Sequence, residues 1–214
     1  MAYRKTPAVH HRLASTRERL VRQATSVVAE AGWANASVTA VAAAAGISVG
    51  SVYQHFPSKG ALAVEVFRRA AGREVEVLCG VLRDGGGDPV ERLARGVEAF
   101  ARRALESRGL AHALLAAPAE PALGQERLSF RRRYREAFVE VIREGIGAGL
   151  LPAQDAEVTA AALTGAIGEV LVEPLSDPVE GAVADQLIGE LVAMSLRCAG
   201  ATPPSHSYDP KDSA

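Results

Sequence analysis

Cysteine, methionine and aromatic side chains are all scarce in this chain: two Cys, two Met, one Trp and 5% aromatic residues in 214. Cys79 and Cys198 are too few and too isolated for a disulfide framework or a zinc site, so they read as ordinary core cysteines in a reduced cytoplasm. No apolar run reads as long enough to span a membrane. Where a signal peptide would need an apolar segment, the N-terminus has Arg4, Lys5, His10, His11 and Arg12. The loop Asp84-Gly85-Gly86-Gly87-Asp88-Pro89 has no Lys-Ser/Thr after its glycines and is no phosphate-cradling P-loop. The histidines (His10, His11, His55, His112, His206) are scattered, and no Ser-His-Asp, Cys-His or His-cluster constellation accompanies them. The expectation is a cytoplasmic protein with no cofactor, no metal and no catalytic residues.

What is abundant is small apolar residues: 48% of the chain is hydrophobic, enough for a sizeable core. The net charge of −1 conceals an asymmetry. Residues 1 to 59 carry seven basic side chains against two acidic ones, a balance of +5, which leaves −6 for the remainder. A basic N-terminal quarter on an acidic body suits one part that meets phosphate and another that does not.

The stretch Ser37 to Leu62 organises the rest. Ser37 is a candidate N-cap, followed by Val38, Val41, Ala42 and Ala45 at helical spacing, and Gly46 ends that helix. Ser48 caps a second short helix that turns Val52 and Phe56 inward and Val49, Gly50, Ser51, Tyr53, Gln54 and His55 outward, until Pro57 stops it. Two short helices joined by a glycine-containing turn make a helix-turn-helix, whose second helix enters the DNA major groove. Upstream, Ser15-Thr16-Arg17-Glu18 reads as a capping box opening a helix with Leu20, Val21, Ala24, Val27, Val28 and Ala31 on one face. Gly32 closes it, and Trp33 is expected to plug the core beside it.

The run Gly46-Ile47-Ser48-Val49-Gly50-Ser51-Val52-Tyr53-Gln54-His55-Phe56, with Pro57-Ser58-Lys59 and Leu62, resembles the DNA-binding signature of TetR-type transcriptional regulators, over about residues 13 to 67. The resemblance implies an all-α fold: a three-helix DNA-binding domain (15–62) and an effector-binding and dimerisation domain (63–200). Residues 1–14, which lack helical periodicity, and the polar, proline-containing tail (201–214) are expected to be a disordered basic arm and a disordered tail. The resemblance also implies a homodimer on a palindromic double-stranded operator, acting as a repressor released by a small-molecule effector. The alternative is an effector-independent architectural DNA-binding protein of the same fold, and an enzyme is a third reading. Tyr53, His55 and Lys59 match positions that grip phosphates, and Thr39 one that contacts bases or phosphates. Ser48, Val49, Gly50, Ser51 and Gln54 complete the expected DNA-binding set, Gly50 by allowing close backbone approach. Where charged residues are frequent in the family, this chain has Thr39, Ala40 and Ala43, which thins the electrostatic contribution of the first motif helix.

After Lys59 a helix is expected to about Cys79, with Leu62, Val66 and Ala70 on its inner side, coupling the two domains. Asp88 as N-cap and Pro89 start the next, with Leu93, Val97, Phe100, Ala104 and Leu105 as its stripe. A short helix (110 to 117) precedes a long one from about Gln125, with Leu128, Tyr134, Phe138, Val141 and Ile142 inward and Arg127, Arg131, Arg132, Arg133 and Arg135 as a solvated face pairing with glutamates. The helix after Asp155 is apolar nearly all round: Leu163, Ile167, Val170 and Leu171 make a large stripe, Ala161, Gly165, Gly168 and Val172 a small one. The small stripe, with Leu187 and Leu191 on a last helix that also carries Val183, Met194 and Cys198, is the expected dimer interface. Candidate pocket residues are Phe100, His112, Leu114, Phe130, Tyr134, Phe138, Ile167 and Glu169. Glu169 and Glu173 could receive a cationic ligand or make interface hydrogen bonds.

Overall fold

The computed structural model describes residues 7–84, 86–115 and 121–201, and all regular structure among them is helical. The order is α1 (Pro7–Asn35), α2 (Val38–Ala45), α3 (Val49–His55), α4 (Lys59–Asp84), α5 (Pro89–Glu106), α6 (Arg108–Leu115), a 3₁₀ turn (Pro121–Leu123), α7 (Gly124–Gly147), α8 (Ala156–Ser176) and α9 (Gly181–Cys198). The all-α expectation holds.

The start of α1 does not follow the sequence reading. Proline at a first helical position gives up only an N–H that would be unpaired anyway, and nothing between Pro7 and Ser15 breaks a helix. The helix therefore begins eight residues upstream of the expected cap. Residues 7–14 of the expected arm are helical, and residues 1–6 lie outside the described residues. The supposed capping box instead ties α1 to α4. Arg17 Nη1 and Nη2 donate to the two Glu65 carboxylate oxygens at 2.9 and 3.1 Å, the same guanidinium lies 4.6 Å from the Phe56 ring centroid, and Glu18 pairs with Arg69 at 3.0 Å.

Hydrogen bonding from Arg17, against the opposing effect of burial and with further help from Arg69, holds the Glu65 carboxyl down at about 2. A folded value below the unfolded one means that this group's contribution to stability is complete above the ordinary glutamate range and drains away as pH falls toward that value. Glu65→Gln is expected to lower the urea midpoint at neutral pH and to leave a shallower loss of stability on acidification. Parallel pH profiles for the two proteins would remove Glu65 from the account.

Two buried clusters share the molecule. One joins Leu20, Val21, Ala24 and Val28 of α1 to Val41, Ala42 and Ala45 of α2, to Val52 and Phe56, and to Leu62, Val66, Phe67, Ala71 and Val75 of α4. The other takes Leu78 and Leu82 of α4 and continues through α5, α7, α8 and α9. Along α4 the first cluster reaches Val75 and the second begins at Leu78. One continuous helix thus serves both cores, as expected of α4. Trp33 is buried, and its Nε1 donates to the Ala113 carbonyl of α6 at 2.8 Å. Gly32, at φ 71°, kinks α1 just before it.

Two apolar residues, Leu128 and Val170, face the other way from expectation. Leu128 is 60% exposed because it lies about 200° round α7 from Phe130, which sets the inner face. Val170 is likewise exposed, since Leu163, Ile167 and Leu171 set the inner side of α8. Val183 is exposed too, since Ile188 and Leu191 set the inner side of α9. α8 has 21 residues and contains an 18-residue window of mean hydropathy 1.4, so it is long and apolar enough to cross a membrane, contrary to the sequence reading. Here it packs against α5, α6, α7 and α9 of its own chain. Of the expected tail, Ala201 is buried, with its N–H on the Leu196 carbonyl at 2.9 Å, and the rest lies outside the described residues.

Candidate functional site

The helix-turn-helix is built by local hydrogen bonds that the sequence announces. The Ala40 N–H donates to Ser37 Oγ at 3.1 Å and the Ser51 N–H to Ser48 Oγ at 3.1 Å, so each short helix has its cap. Gly46 takes the left-handed conformation (φ 64°), which lets the Gly46 and Ile47 N–H groups close on the Ala43 and Ala42 carbonyls at 3.1 and 3.0 Å. With Val52 and Phe56 buried below, the outward side of α3 is fixed.

Of the nine expected DNA-binding residues, Thr39, Ser48, Val49, Gly50, Tyr53 and Gln54 are exposed, while Ser51, His55 and Lys59 are half-buried. The side chains of three have partners inside the chain. Ser51 Oγ lies 2.9 Å from Ser48 Oγ, and Lys59 Nζ makes a long, 3.5 Å contact to the Trp33 carbonyl at the end of α1. No acidic residue occurs between Asn35 and Lys59, so nothing on this stretch repels a phosphate backbone.

The second site is a cavity of about 170 Å³ lined by α4, α5, α6, α7 and α8. Phe67, Phe100, Phe130, Tyr134 and Phe138 supply its aromatic wall. They are arranged in edge-to-face pairs: Phe67–Phe130 at 5.6 Å between centroids and Phe100–Tyr134 at 5.5 Å. Burial pushes the Tyr134 hydroxyl well above its ordinary range, so it stays protonated at neutral pH. Arg103 forks onto both oxygens of Glu74 at 2.8 Å, which raises the arginine further and neutralises both groups.

Seven of the eight expected pocket residues line this cavity: Phe100, Leu114, Phe130, Tyr134, Phe138, Ile167 and Glu169. His112 does not. It is exposed on the outer side of α6, because Ala111 and Leu114 of the same helix take the inward positions. Sequence reasoning missed Phe67, Ala71, Glu74 and Leu78, although their i, i+4, i+7, i+11 spacing marks one face of α4. It also placed Arg127 and Arg131 on a solvated face, whereas both border the cavity and neither meets a carboxylate among the described residues.

The expected dimer stripe divides. Ala161 is exposed and Gly165, Gly168 and Val172 are half-buried, round α8 from the buried Leu163 and Leu171. Gly165, Gly168 and Val172 also line the cavity, so that side is not free to serve an interface alone. Leu187 is half-buried. Leu191, only 2% exposed, is committed to its own chain's core and corrects the expectation that it meets a partner.

Two family models match the chain: "Bacterial regulatory proteins, tetR family" over residues 20–66, and "Tetracyclin repressor-like, C-terminal domain" over residues 86–171. A search of curated proteins finds no match. Among solved structures, the fatty acid degradation regulator FadR from Bacillus halodurans is similar at TM-score 0.72 and 20% identity, covering 84% of this chain and 97% of that one. FadR from Bacillus subtilis, solved in complex with stearoyl-CoA, gives 0.69 and 19%, covering 82% and 97%. SmeT, the repressor of a Stenotrophomonas maltophilia multidrug efflux pump, gives 0.71 and 20%, covering 88% and 96%, and has also been solved with triclosan. At these identities the similar structures speak for the fold, while the two models span the DNA-binding head and much of the helical body. The chain belongs to the TetR family of bacterial regulatory proteins.

Proposed function

We propose that this regulator is a homodimeric repressor that binds a palindromic operator through α3 and leaves it when a small molecule fills the cavity. The observation that carries the reading is that the cavity and the DNA-binding head share walls. Phe67 and Ala71 belong at once to the core beneath α3 and to the cavity lining. On α6, Ala113 holds Trp33 of α1, while its neighbours Leu110, Ala111 and Leu114 face the cavity. A ligand that moves α4 or α6 therefore moves the base of the helix-turn-helix. Similar folds solved with stearoyl-CoA and with triclosan support a ligand role for this body. The cavity itself favours this reading over an effector-independent architectural protein. The exposed small residue Ala161 and the flanking side of α8, with α9, offer the dimer surface.

Selection from a randomised duplex library tests the DNA half of the proposal. The wild-type chain is expected to enrich an inverted repeat whose half-sites lie about one helical turn apart. Gln54→Ala should relax one or two positions in each half-site, at about 1–3 kcal/mol if the contact is bidentate. Enrichment of no consensus would sink the operator reading, and an identical consensus from both proteins would mean that Gln54 does not read bases.

A further inference from the structure

The cavity's charges do not balance. Among the described residues five charged side chains line it: Glu74, Arg103, Arg127, Arg131 and Glu169. Glu74 and Arg103 satisfy one another through two 2.8 Å hydrogen bonds. Arg127 and Arg131 are four residues apart on α7, so both heads project over the same stretch of wall. Arg127 Nη2 donates to the Leu115 carbonyl at 2.7 Å, and neither guanidinium has a carboxylate partner among the described residues. Elsewhere in the chain Arg17, Arg68, Arg69, Arg83, Arg102 and Arg143 each meet a carboxylate within 3.2 Å. Burial of Arg127, and then repulsion from Arg131, lowers its affinity for its own proton. Two like charges, one of them partly desolvated, are thus held beside an apolar chamber with no counter-charge between them among the described residues. Such a pair gains from an oxoanion, which a guanidinium fork binds through charge-assisted hydrogen bonds. Glu169, the remaining carboxylate, is exposed on α8 and makes no ion pair among the described residues, so the unpaired groups total two cations against one anion.

We infer that the cavity takes an amphiphile with an anionic head. Its apolar body lies among Phe100, Phe130, Tyr134 and Phe138, and its carboxylate or phosphate oxygens sit on Arg127 and Arg131. This rests on the reading of the cavity as the effector site. It runs against the cationic ligand, one of the two alternatives that the sequence left open for Glu169 and Glu173.

Calorimetric titration of the full chain with octanoate, octyl phosphate, octan-1-ol and octylamine tests the inference, because the four share one tail and differ in the head. The two anions are expected to bind about tenfold tighter than the alcohol, with the amine weakest. The ratio of octanoate to octyl phosphate affinity then tells a carboxylate head from a phosphate one. Arg127→Gln/Arg131→Gln should bring the octanoate-to-octanol ratio close to one. Arg131→Gln alone breaks no hydrogen bond or ion pair among the described residues, so it should lower that ratio without the risk of misfolding. Equal affinity of alcohol and anions in the wild-type chain, or an unchanged ratio in both variants, would overturn the anionic head while leaving the cavity as a ligand site. Preference for octylamine would overturn it in favour of Glu169. Binding of none of the four, by a chain that still binds its operator, would overturn the cavity reading as well.

Discussion

Gly109→Ala is expected to destabilise the protein by about 1–3 kcal/mol or more, although alanine is the better helix former. Gly109 lies in the first turn of α6, and a Cβ there would run into the Ala29 carbonyl oxygen of α1, with the Ala29 carbonyl carbon at 3.0 Å. The obstacle is backbone, so no rotamer change relieves it and the two helices must separate. One turn further along both helices, the Trp33 Nε1 to Ala113 carbonyl hydrogen bond of 2.8 Å depends on the same close approach. Widening the crossing would cost that bond and leave a buried indole N–H without its acceptor. Gly80→Ala provides the control. It lies inside α4, exposed, with nothing within 4 Å of its would-be Cβ, and should gain up to about 1 kcal/mol. Urea denaturation of the two variants decides. A Gly109→Ala protein as stable as wild type would mean that α1 and α6 do not approach this closely in solution.

Gly50→Leu should do the opposite, sparing the fold and abolishing function. Gly50 is exposed in α3, and the nearest atom to its would-be Cβ is Ser48 Oγ at an ordinary 3.8 Å. Replacing a glycine in the first turn of a helix should leave stability unchanged or raise it by less than about 1 kcal/mol. In the proposed complex, however, this backbone lies against the duplex. A leucine would hold α3 off the groove and weaken its neighbours' contacts together. Operator affinity should fall on the order of a hundredfold, about 3 kcal/mol. Fluorescence anisotropy on operator duplex, read beside the denaturation curve, separates lost contact from lost structure. Wild-type affinity in Gly50→Leu would move the contact surface elsewhere on the head.

The helix-turn-helix was legible from the sequence because its determinants are local. Ser37, Gly46, Ser48 and Pro57 act within four residues of themselves, through capping hydrogen bonds, a left-handed φ and a missing N–H, and the structure realises the bonds of the first three as read. The inward positions of α5 were equally legible, since Leu93 and Val97 follow the helical period through an amphipathic segment. Local signals misled where a tertiary partner was the stronger attraction. Ser15 to Glu18 has the pattern of a cap, yet Arg17 and Glu18 find Glu65 and Arg69 on α4 and the helix runs through. The cavity and its charge balance were decided by tertiary structure alone. Arg127 and Arg131 fall seven and three residues before Tyr134, on the face that Phe138 shares, while Arg132 lies well round the helix; that this face meets an apolar chamber was set by the placement of α4, α6 and α8 around α7. Periodicity says which side of a helix is buried. What that side meets, and whether the space between is filled, depends on residues far apart in the chain, and no short-range pattern encodes that distance.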